Sequence, residues 1–128
     1  MSDRILLDSH ILVWLIFEPE NLSKSTIEDL KQASELYVSI VSIWELALKH
    51  KKGKFAYNPA DITSGYKKAG IELLDLKEEH IKQMGNIRLS HKDPFDELLV
   101  AQAKSESILL LTADSQLIDS MYQTIDAR

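Results

Sequence analysis

The sequence contains no cysteine, so disulfide bonds, zinc sites built on thiolates and cysteine nucleophiles are all excluded. It also contains no apolar run that approaches the roughly 20 residues needed for a membrane-spanning helix. No segment with a charged start, an apolar run and small residues opens the chain as a targeting leader would. From these absences we expect a soluble cytoplasmic protein with no membrane partner.

The chain has fewer basic than acidic residues, 15 Lys and Arg against 20 Asp and Glu, and a formal net charge of -5. This balance argues against a protein that holds nucleic acid by an overall positive potential. It does not exclude an enzyme that acts on nucleic acid, because a metal ion in an acidic pocket supplies positive charge locally. The 128 residues, 45% of them hydrophobic, predict a single domain, residues 1–128, with a sizeable core.

Strand-like and helix-like segments alternate along the chain. Apolar or β-branched runs predict strands at residues 5–7, 36–41, 71–76, 108–112 and 124–126. Apolar spacing and capping patterns predict helices at residues 9–17, 25–34, 42–52, 58–68, 77–84, 94–103 and 115–122. Repeated strand-helix units with apolar strands predict an α/β fold, a parallel sheet with helices on both faces. Such sheets bind ligands at the carboxyl ends of their strands.

The stretch from residue 91 to residue 103 opens with acids and continues as an apolar helix. Pro94 has no backbone N–H and suits a first helical turn, so Asp93 is predicted to be the N-cap and Asp96 the third helical residue. The positions three, four and seven residues after Asp96 are all apolar: Leu99, Val100 and Ala103. Asp96 therefore heads the face expected to pack inward, and a charge placed there requires a partner.

Three other acids occupy comparable places. Asp8 and Asp114 follow predicted strands, and Glu45 lies in the first turn of a predicted helix. In a doubly wound sheet, several of these strand ends and helix starts converge on one cleft. Carboxylates placed together raise one another's pKa values unless a cation compensates their charge. Mg²⁺ or Mn²⁺ is the expected cation, because both take oxygen ligands and the chain has no thiolate.

Each acid also has a purely structural explanation. Glu45 fits a capping box, or an ion pair with Lys49 one turn further along. Asp93 and Asp96 benefit from the positive end of a helix dipole, and Asp114 can initiate the helix that follows it. Capping and metal binding are compatible, so the residues alone leave both roles open.

Two histidines lie near these acids. His10 follows Asp8 closely and is expected to fill a packing role near the core rather than a chemical one. His91 precedes Asp93 by two positions, where it is either a surface residue or a partner of Asp93. The sequence does not separate these two alternatives for His91.

Four motifs occur in a fixed order along the chain. They are Leu6-Leu7-Asp8-Ser9-His10, Ser42-Ile43-Trp44-Glu45-Leu46-Ala47-Leu48-Lys49, His91-Lys92-Asp93-Pro94-Phe95-Asp96-Glu97-Leu98-Leu99-Val100-Ala101-Gln102-Ala103 and Leu111-Thr112-Ala113-Asp114. Together they resemble the PIN-domain ribonucleases, and in particular the VapC-type toxins of bacterial toxin-antitoxin pairs. The resemblance covers essentially the whole chain, and its most specific part is His-x-Asp-Pro-Phe-Asp.

This resemblance implies a three-layer α/β/α fold around a mostly parallel sheet, and a ribonuclease that depends on Mg²⁺ or Mn²⁺. It implies acidic ligands at Asp8, Glu45, Asp96 and Asp114, with Asp93, Ser9 and Thr112 as auxiliary residues. It also implies an antitoxin partner, which covers the cleft and inserts Arg or Lys among the acids. The apolar surface around Trp14 is a candidate homodimer face.

Two residues depart from the pattern of many relatives. Ser9 replaces a Thr and keeps its hydroxyl, whereas Ala113 replaces an Arg and removes a basic group near the site. Basic residues that are candidates to contact the RNA backbone instead are Lys49, Lys51, Lys52 and Lys54, although such a cluster is also typical of a solvated helix end. Tyr57 and Phe95 are candidates either for stacking on unpaired bases or for the core.

The hypothesis from the sequence is in-line hydrolysis of an RNA phosphodiester at a metal held by Asp8, Asp96 and Asp114. Glu45 either completes the metal site through water or positions the attacking water. The alternative is a catalytically silent binding module whose acidic pocket captures a basic segment of a partner. A phosphatase with an aspartate nucleophile has less support, because no Asp-x-Asp pair follows the first strand.

Overall fold

The computed structural model describes residues 3–118 and 124–128. The strands are β1 Arg4–Leu7, β2 Glu35–Ser39, β3 Glu72–Leu74, β4 Leu109–Thr112 and β5 Thr124–Asp126. The α-helices of this part of the chain are α1 Ser9–Phe17, α2 Lys24–Gln32, α3 Ile40–Lys51, α4 Pro59–Lys68, α5 Glu78–Met84, α6 Pro94–Glu106 and α7 Ser115–Ile118. A 3-10 helix follows α1 at Pro19–Asn21. Within these residues no helix combines the length and the apolar character needed to cross a membrane.

Within the described residues five strands run parallel in one sheet, in the order β3-β2-β1-β4-β5. The chain first builds from β1 to β3 on one side and then adds β4 and β5 on the other. The strand order therefore reverses between β1 and β4, where open parallel sheets bind ligands at their carboxyl ends. Leu7 pairs with Leu111 at this point, so the residues that follow β1 and β4 emerge side by side.

Apolar side chains cover both faces of the sheet in two separate core clusters. Strand β1 supplies Ile5 and Leu7 to one cluster and Leu6 to the other, because successive strand residues point to opposite faces. Helix α1 contributes Ile11 and Leu12 to the first cluster, and α6 packs into the second. Helices therefore lie on both faces, and the predicted three-layer α/β/α fold is confirmed.

Helix α6 begins as the sequence predicts. Asp93 is its N-cap and accepts a hydrogen bond from the Phe95 amide at 2.9 Å, and Pro94 is its first residue. The apolar residues predicted to face inward from this helix are all buried: Leu99, Val100 and Ala103. Asp96 therefore stands in the first turn, at the head of a buried helix face.

Helix α3 begins two residues earlier than predicted. The Ser39 side chain, at the end of β2, accepts a hydrogen bond from the Val41 amide at 3.0 Å and so starts the helix at Ile40. The strand predicted to reach residue 41 and the capping box predicted at Ser42 are therefore wrong. Glu45 lies in the second turn of α3 rather than the first.

Smaller differences affect three other elements. Ser23 caps α2 by accepting a hydrogen bond from the Thr26 amide at 3.2 Å, so the predicted capping box at Ser25 is wrong. The third strand is shorter than residues 71–76, since only residues 72–74 pair with β2. The helix predicted at 115–122 is described as far as residue 118, and its remainder lies outside the described residues.

Candidate metal centre

Asp96 lies among several charged neighbours at the start of α6. Its side chain is 17% exposed, and Oδ2 is 2.8 Å from Nε2 of His91, in the loop that leads into the helix. The carboxylates of Asp93, Asp8 and Asp114 are close enough for their negative charges to act on it. Asp96 is therefore the point at which the loop before α6 and the ends of β1 and β4 come together.

The pKa of Asp96 is raised from its ordinary value of 3.8 to about 6, chiefly by burial, even though the hydrogen bond with His91 lowers it. The negative charges of Asp93, Asp8 and Asp114 contribute to this rise. Both effects disfavour the ionised carboxylate, and a nearby cation would reverse them. The electrostatics of this position therefore favour the binding of a positive charge.

Thr112, at the end of β4, connects Asp8 to Asp114. Its hydroxyl donates to Oδ2 of Asp8 at 2.6 Å and accepts a hydrogen bond from the Asp114 amide at 3.0 Å. The other oxygen of Asp8, Oδ1, accepts a hydrogen bond from the Ser9 amide at 2.7 Å and caps α1. Because both oxygens are held and the residue is buried, the fold fixes the orientation of the Asp8 carboxylate.

Glu45 reaches the turn after β1 from helix α3. Its Oε1 accepts a hydrogen bond from the Ser9 hydroxyl at 3.2 Å. Its Oε2 is 3.7 Å from Nζ of Lys49, one helical turn further along. Ser9 thus contacts Glu45 through its hydroxyl and Asp8 through its amide, which places the two acids on either side of one residue.

One compact group of possible metal ligands occurs in the described part of the chain. One ligand atom from each of His91, Asp96 and Asp114 lies within 4.8 Å of the other two. Asp8 and Glu45 adjoin this group through the hydrogen bonds described above. The carboxylate oxygens of these residues fit a divalent ion such as Mn²⁺ or Mg²⁺. Whether each acid binds a metal stays a prediction.

Two aromatic residues considered in the sequence analysis, Tyr57 and His10, pack against other rings. Tyr57 stacks on Phe17, with ring centroids 3.9 Å apart, and donates its hydroxyl to Glu18 at 3.1 Å. His10 is exposed and stacks on Trp14, with ring centroids 6.3 Å apart, so it packs at the surface and the expected place near the core is wrong. Its position on α1 faces solvent, whereas the neighbouring apolar positions of that helix face the core.

A second surface lies beside the acids. Phe95 packs against Trp44, with ring centroids 5.0 Å apart, and 57% of Trp44 is exposed. The remaining candidate RNA contacts are exposed around the end of α3: Lys51, Lys52 and Lys54. Trp44 and these three lysines are therefore accessible to a ligand.

His91 is the site residue that the sequence did not identify. Its partner is Asp96, five positions further along, so neither a plain surface role nor a bond to Asp93 is correct. The one indication in the sequence is a histidine in the loop before an acid that heads a buried helix face. The path of that loop, which decides the partner, cannot be read from residue types.

Solved structures of similar fold include three toxin-antitoxin proteins. VapBC2 from Rickettsia felis, bound to a promoter DNA fragment, matches with a TM-score of 0.72 and 15% identity, over 98% of this chain and 99% of the other. DNA-bound VapBC from Salmonella typhimurium matches with a TM-score of 0.72 and 17% identity, over 100% of both chains. VapBC-1 from Haemophilus influenzae matches with a TM-score of 0.67 and 19% identity, over 96% of this chain and 97% of the other.

Comparison of the amino-acid sequence, rather than of the fold, identifies the family. The comparison with curated proteins found no significant match. The family model described as PIN domain matches residues 5–121, a range that includes the four acids of the candidate metal centre, Asp8, Glu45, Asp96 and Asp114. This chain therefore belongs to the PIN domain family.

Proposed function

We propose that this protein is a divalent-metal-dependent endoribonuclease that hydrolyses RNA phosphodiester bonds, and that it is the toxin of a toxin-antitoxin pair. The observation that carries the proposal is the group of His91, Asp96 and Asp114 within 4.8 Å of one another, around a carboxyl group whose pKa is raised to about 6. Family membership supports the same reaction, since PIN domains of this type are generally nucleases.

The acids supply the binding site for Mg²⁺ or Mn²⁺. Asp8, Asp96 and Asp114 would hold the ion through carboxylate oxygens, with Glu45 beside them. When bound, such an ion lowers the pKa of water and stabilises negative charge on the phosphate and the leaving oxygen. The mutual repulsion of the acids, which raises the pKa of Asp96, is relieved by binding and so favours it.

Glu45 is the group that we assign to the attacking water. Its two oxygens are oriented by the Ser9 hydroxyl at 3.2 Å and by the Lys49 ammonium at 3.7 Å. A carboxylate fixed in this way can orient a water molecule and accept its proton at a carboxylate oxygen. Thr112 meanwhile keeps the Asp8 carboxylate in one orientation through its 2.6 Å hydrogen bond.

The RNA would reach the acids along the surface of α3. Lys51, Lys52 and Lys54 are exposed near the end of this helix and provide positive charge for the backbone phosphates. Phe95, adjacent in sequence to Asp96, offers an aromatic ring for unpaired bases. This arrangement favours single-stranded RNA, because the bases of a duplex are not free to stack on side chains.

An antitoxin is the expected protein partner. The structures of similar fold from Rickettsia felis and Salmonella typhimurium are VapBC proteins bound to DNA, and another is a toxin-antitoxin complex from Klebsiella pneumoniae. The clustered acids suit an inserted Arg or Lys, which would form charge-assisted hydrogen bonds with them. We place the protein in the cytoplasm, where its RNA substrate and the antitoxin are made.

We also propose a homodimer, with its interface on a different surface from the one around Trp14. Trp14 is half-buried and packs against the first core cluster. Ile40, Trp44 and Leu76 are instead 36%, 57% and 42% exposed and line an open apolar groove of about 460 Å³. Exposed apolar side chains grouped along one groove are candidates for contact with another protein chain.

The test compares two aspartates at equivalent helix positions. Asp96 and Asp61 are each the third residue of a helix that begins with Pro, but Asp61 is exposed in α4. We expect Asp96→Asn to abolish Mn²⁺-dependent cleavage of single-stranded RNA and Asp61→Asn to leave it unchanged. Cleavage should also stop when the metal is chelated.

The same pair of variants separates the alternative function. A catalytically silent binding module would leave cellular RNA intact with or without Asp96, yet still bind a basic partner through its acids. We expect expression of the wild type to arrest growth and to generate new RNA ends, and Asp96→Asn to do neither. RNA end profiles that coincide for the two proteins would contradict the nuclease proposal.

A further inference from the structure

The two ring nitrogens of His91 lie in different surroundings. Nε2 is 2.8 Å from Oδ2 of Asp96, whereas Nδ1 is buried and has no hydrogen-bond partner among the described residues. The His91 side chain is 16% exposed, so its ring is held largely by the surrounding protein. Among the described residues, the polar contact of this ring is therefore the one to Asp96.

These surroundings indicate which nitrogen carries the proton in the neutral ring. A buried N–H without an acceptor is rarer in proteins, and costlier, than a buried acceptor without a donor. The proton is therefore better placed on Nε2, where it is donated to the Asp96 carboxylate. Nδ1 then keeps its lone pair and leaves no N–H unsatisfied.

The same reasoning argues against His91 as a direct metal ligand. A histidine that binds a metal through one ring nitrogen usually donates the other N–H to a carboxylate, a carbonyl or water. Binding through Nε2 would move the proton of His91 to Nδ1, which has no acceptor among the described residues. A donor role for Nε2 avoids this cost.

We propose that His91 is a positioning residue, whose Nε2–H holds Oδ2 of Asp96 and leaves Oδ1 free to bind the metal. The inference rests on the proposed function, because it requires Asp96 to be a metal ligand. Without this hydrogen bond the Asp96 carboxylate must be ordered when the metal binds. Removing the donor should therefore weaken metal binding while the fold is retained.

The decisive comparison is between Gln and Asn at this position. The side-chain amide nitrogen of Gln extends about as far as Nε2 of histidine and can donate to Asp96, whereas that of Asn extends only as far as Nδ1. We would titrate the full chain with Mn²⁺ by calorimetry in the absence of RNA. H91A and H91N should bind Mn²⁺ about 10- to 100-fold more weakly than the wild type, and H91Q should recover most of the affinity.

Circular dichroism of H91N and H91Q, which differ by one methylene, checks that both are folded. Equal Mn²⁺ affinity for wild type and H91N would overturn the inference. So would a directly coordinated imidazole nitrogen in the electron spin echo spectrum of the Mn²⁺-loaded wild type, which would make His91 a ligand.

D96N separates this inference from the proposed function. Loss of Mn²⁺ binding in D96N together with unchanged binding in H91N would overturn only the positioning role of His91. Unchanged Mn²⁺ binding in D96N would overturn both.

Discussion

Thr112 donates its hydroxyl proton to Asp8 at 2.6 Å, although 104 residues separate them in the sequence. The contact exists because β1 and β4 are neighbours in the parallel sheet and end at the same edge. The same hydroxyl accepts a hydrogen bond from the Asp114 amide at 3.0 Å. One buried side chain therefore determines the relative placement of two acids that we assign to the metal.

Replacing Thr112 tests this coupling. Thr112→Val keeps the shape of the side chain but removes the hydroxyl, leaving Oδ2 of Asp8 and the Asp114 amide without their partner. We expect the free energy of unfolding to fall by about 1–3 kcal/mol and Mn²⁺ binding to weaken. Thr112→Ser, which keeps the hydroxyl, is the control and should retain most of the metal affinity. Equal Mn²⁺ affinity in the Val variant and the wild type would show that the hydroxyl does not organise the site.

Asp96 should make the stability of the metal-free protein depend on pH. Its pKa is raised from 3.8 to about 6 by burial and by the neighbouring acids. The protonated form therefore stabilises the fold below pH 3.8, and this contribution is lost as the pH rises through about 6. At pH 7.5 with a chelator present, Asp96→Asn should be more stable than the wild type by about 1–3 kcal/mol.

This difference between Asp96→Asn and the wild type should shrink as the pH is lowered to 4. Chemical denaturation at the two pH values measures it, with Asp61→Asn as the control because Asp61 is an exposed residue at the same helix position. Excess Mn²⁺ should stabilise the wild type and not Asp96→Asn. A difference that is the same at both pH values would contradict the electrostatic explanation.

Helix α3 is capped by Ser39 and not by Ser42, which the sequence pattern favoured. The Ser39 side chain accepts a hydrogen bond from the Val41 amide at 3.0 Å and donates to the side chain of Gln102 in α6. Ser39→Ala should lower the free energy of unfolding by about 1–3 kcal/mol, since a cap and a buried partner are both lost. Ser42→Ala, inside the helix, should change it much less. Denaturant unfolding of the two variants makes the comparison.

These serines illustrate what the sequence can and cannot predict. Helical spacing and the Asp93-Pro94 cap define α6 from local sequence alone, and apolar runs define β1 and β4 well enough to bring Asp8 and Asp114 together. The end of β2 is different, because it depends on the pairing of Val38 with Leu7 in the neighbouring strand. The local sequence allows either Ser39 or Ser42 to cap the helix. Strand pairing ends β2 at Ser39, and Ser39 is therefore the cap.

The same limit applies to the partners within the site. Strand ends predict that acids converge, but the fold decides that Glu45 meets the Ser9 hydroxyl and that His91 meets Asp96. Both contacts involve side chains carried by separate elements or loops. The geometry of these two contacts depends on how α3 and α6 pack against the sheet. That packing cannot be predicted from the residue types at the four positions.

The apolar groove lined by Ile40, Trp44 and Leu76 gives the last prediction, on the oligomeric state. Trp44 is 57% exposed, and a large aromatic side chain at this exposure favours burial against another chain. If the groove is the homodimer interface, the wild type should have the mass of two chains in light scattering coupled to size exclusion. Trp44→Glu should shift it to one chain, because a carboxylate is costly to bury without a partner.

Ser64→Glu is the matched control for Trp44→Glu, since it places the same side chain at an exposed position of α4. It should leave the mass of the assembly unchanged. A wild-type protein with the mass of a single chain over a range of concentrations would overturn the homodimer proposal. A dimer that persists in Trp44→Glu would place the interface elsewhere on the surface.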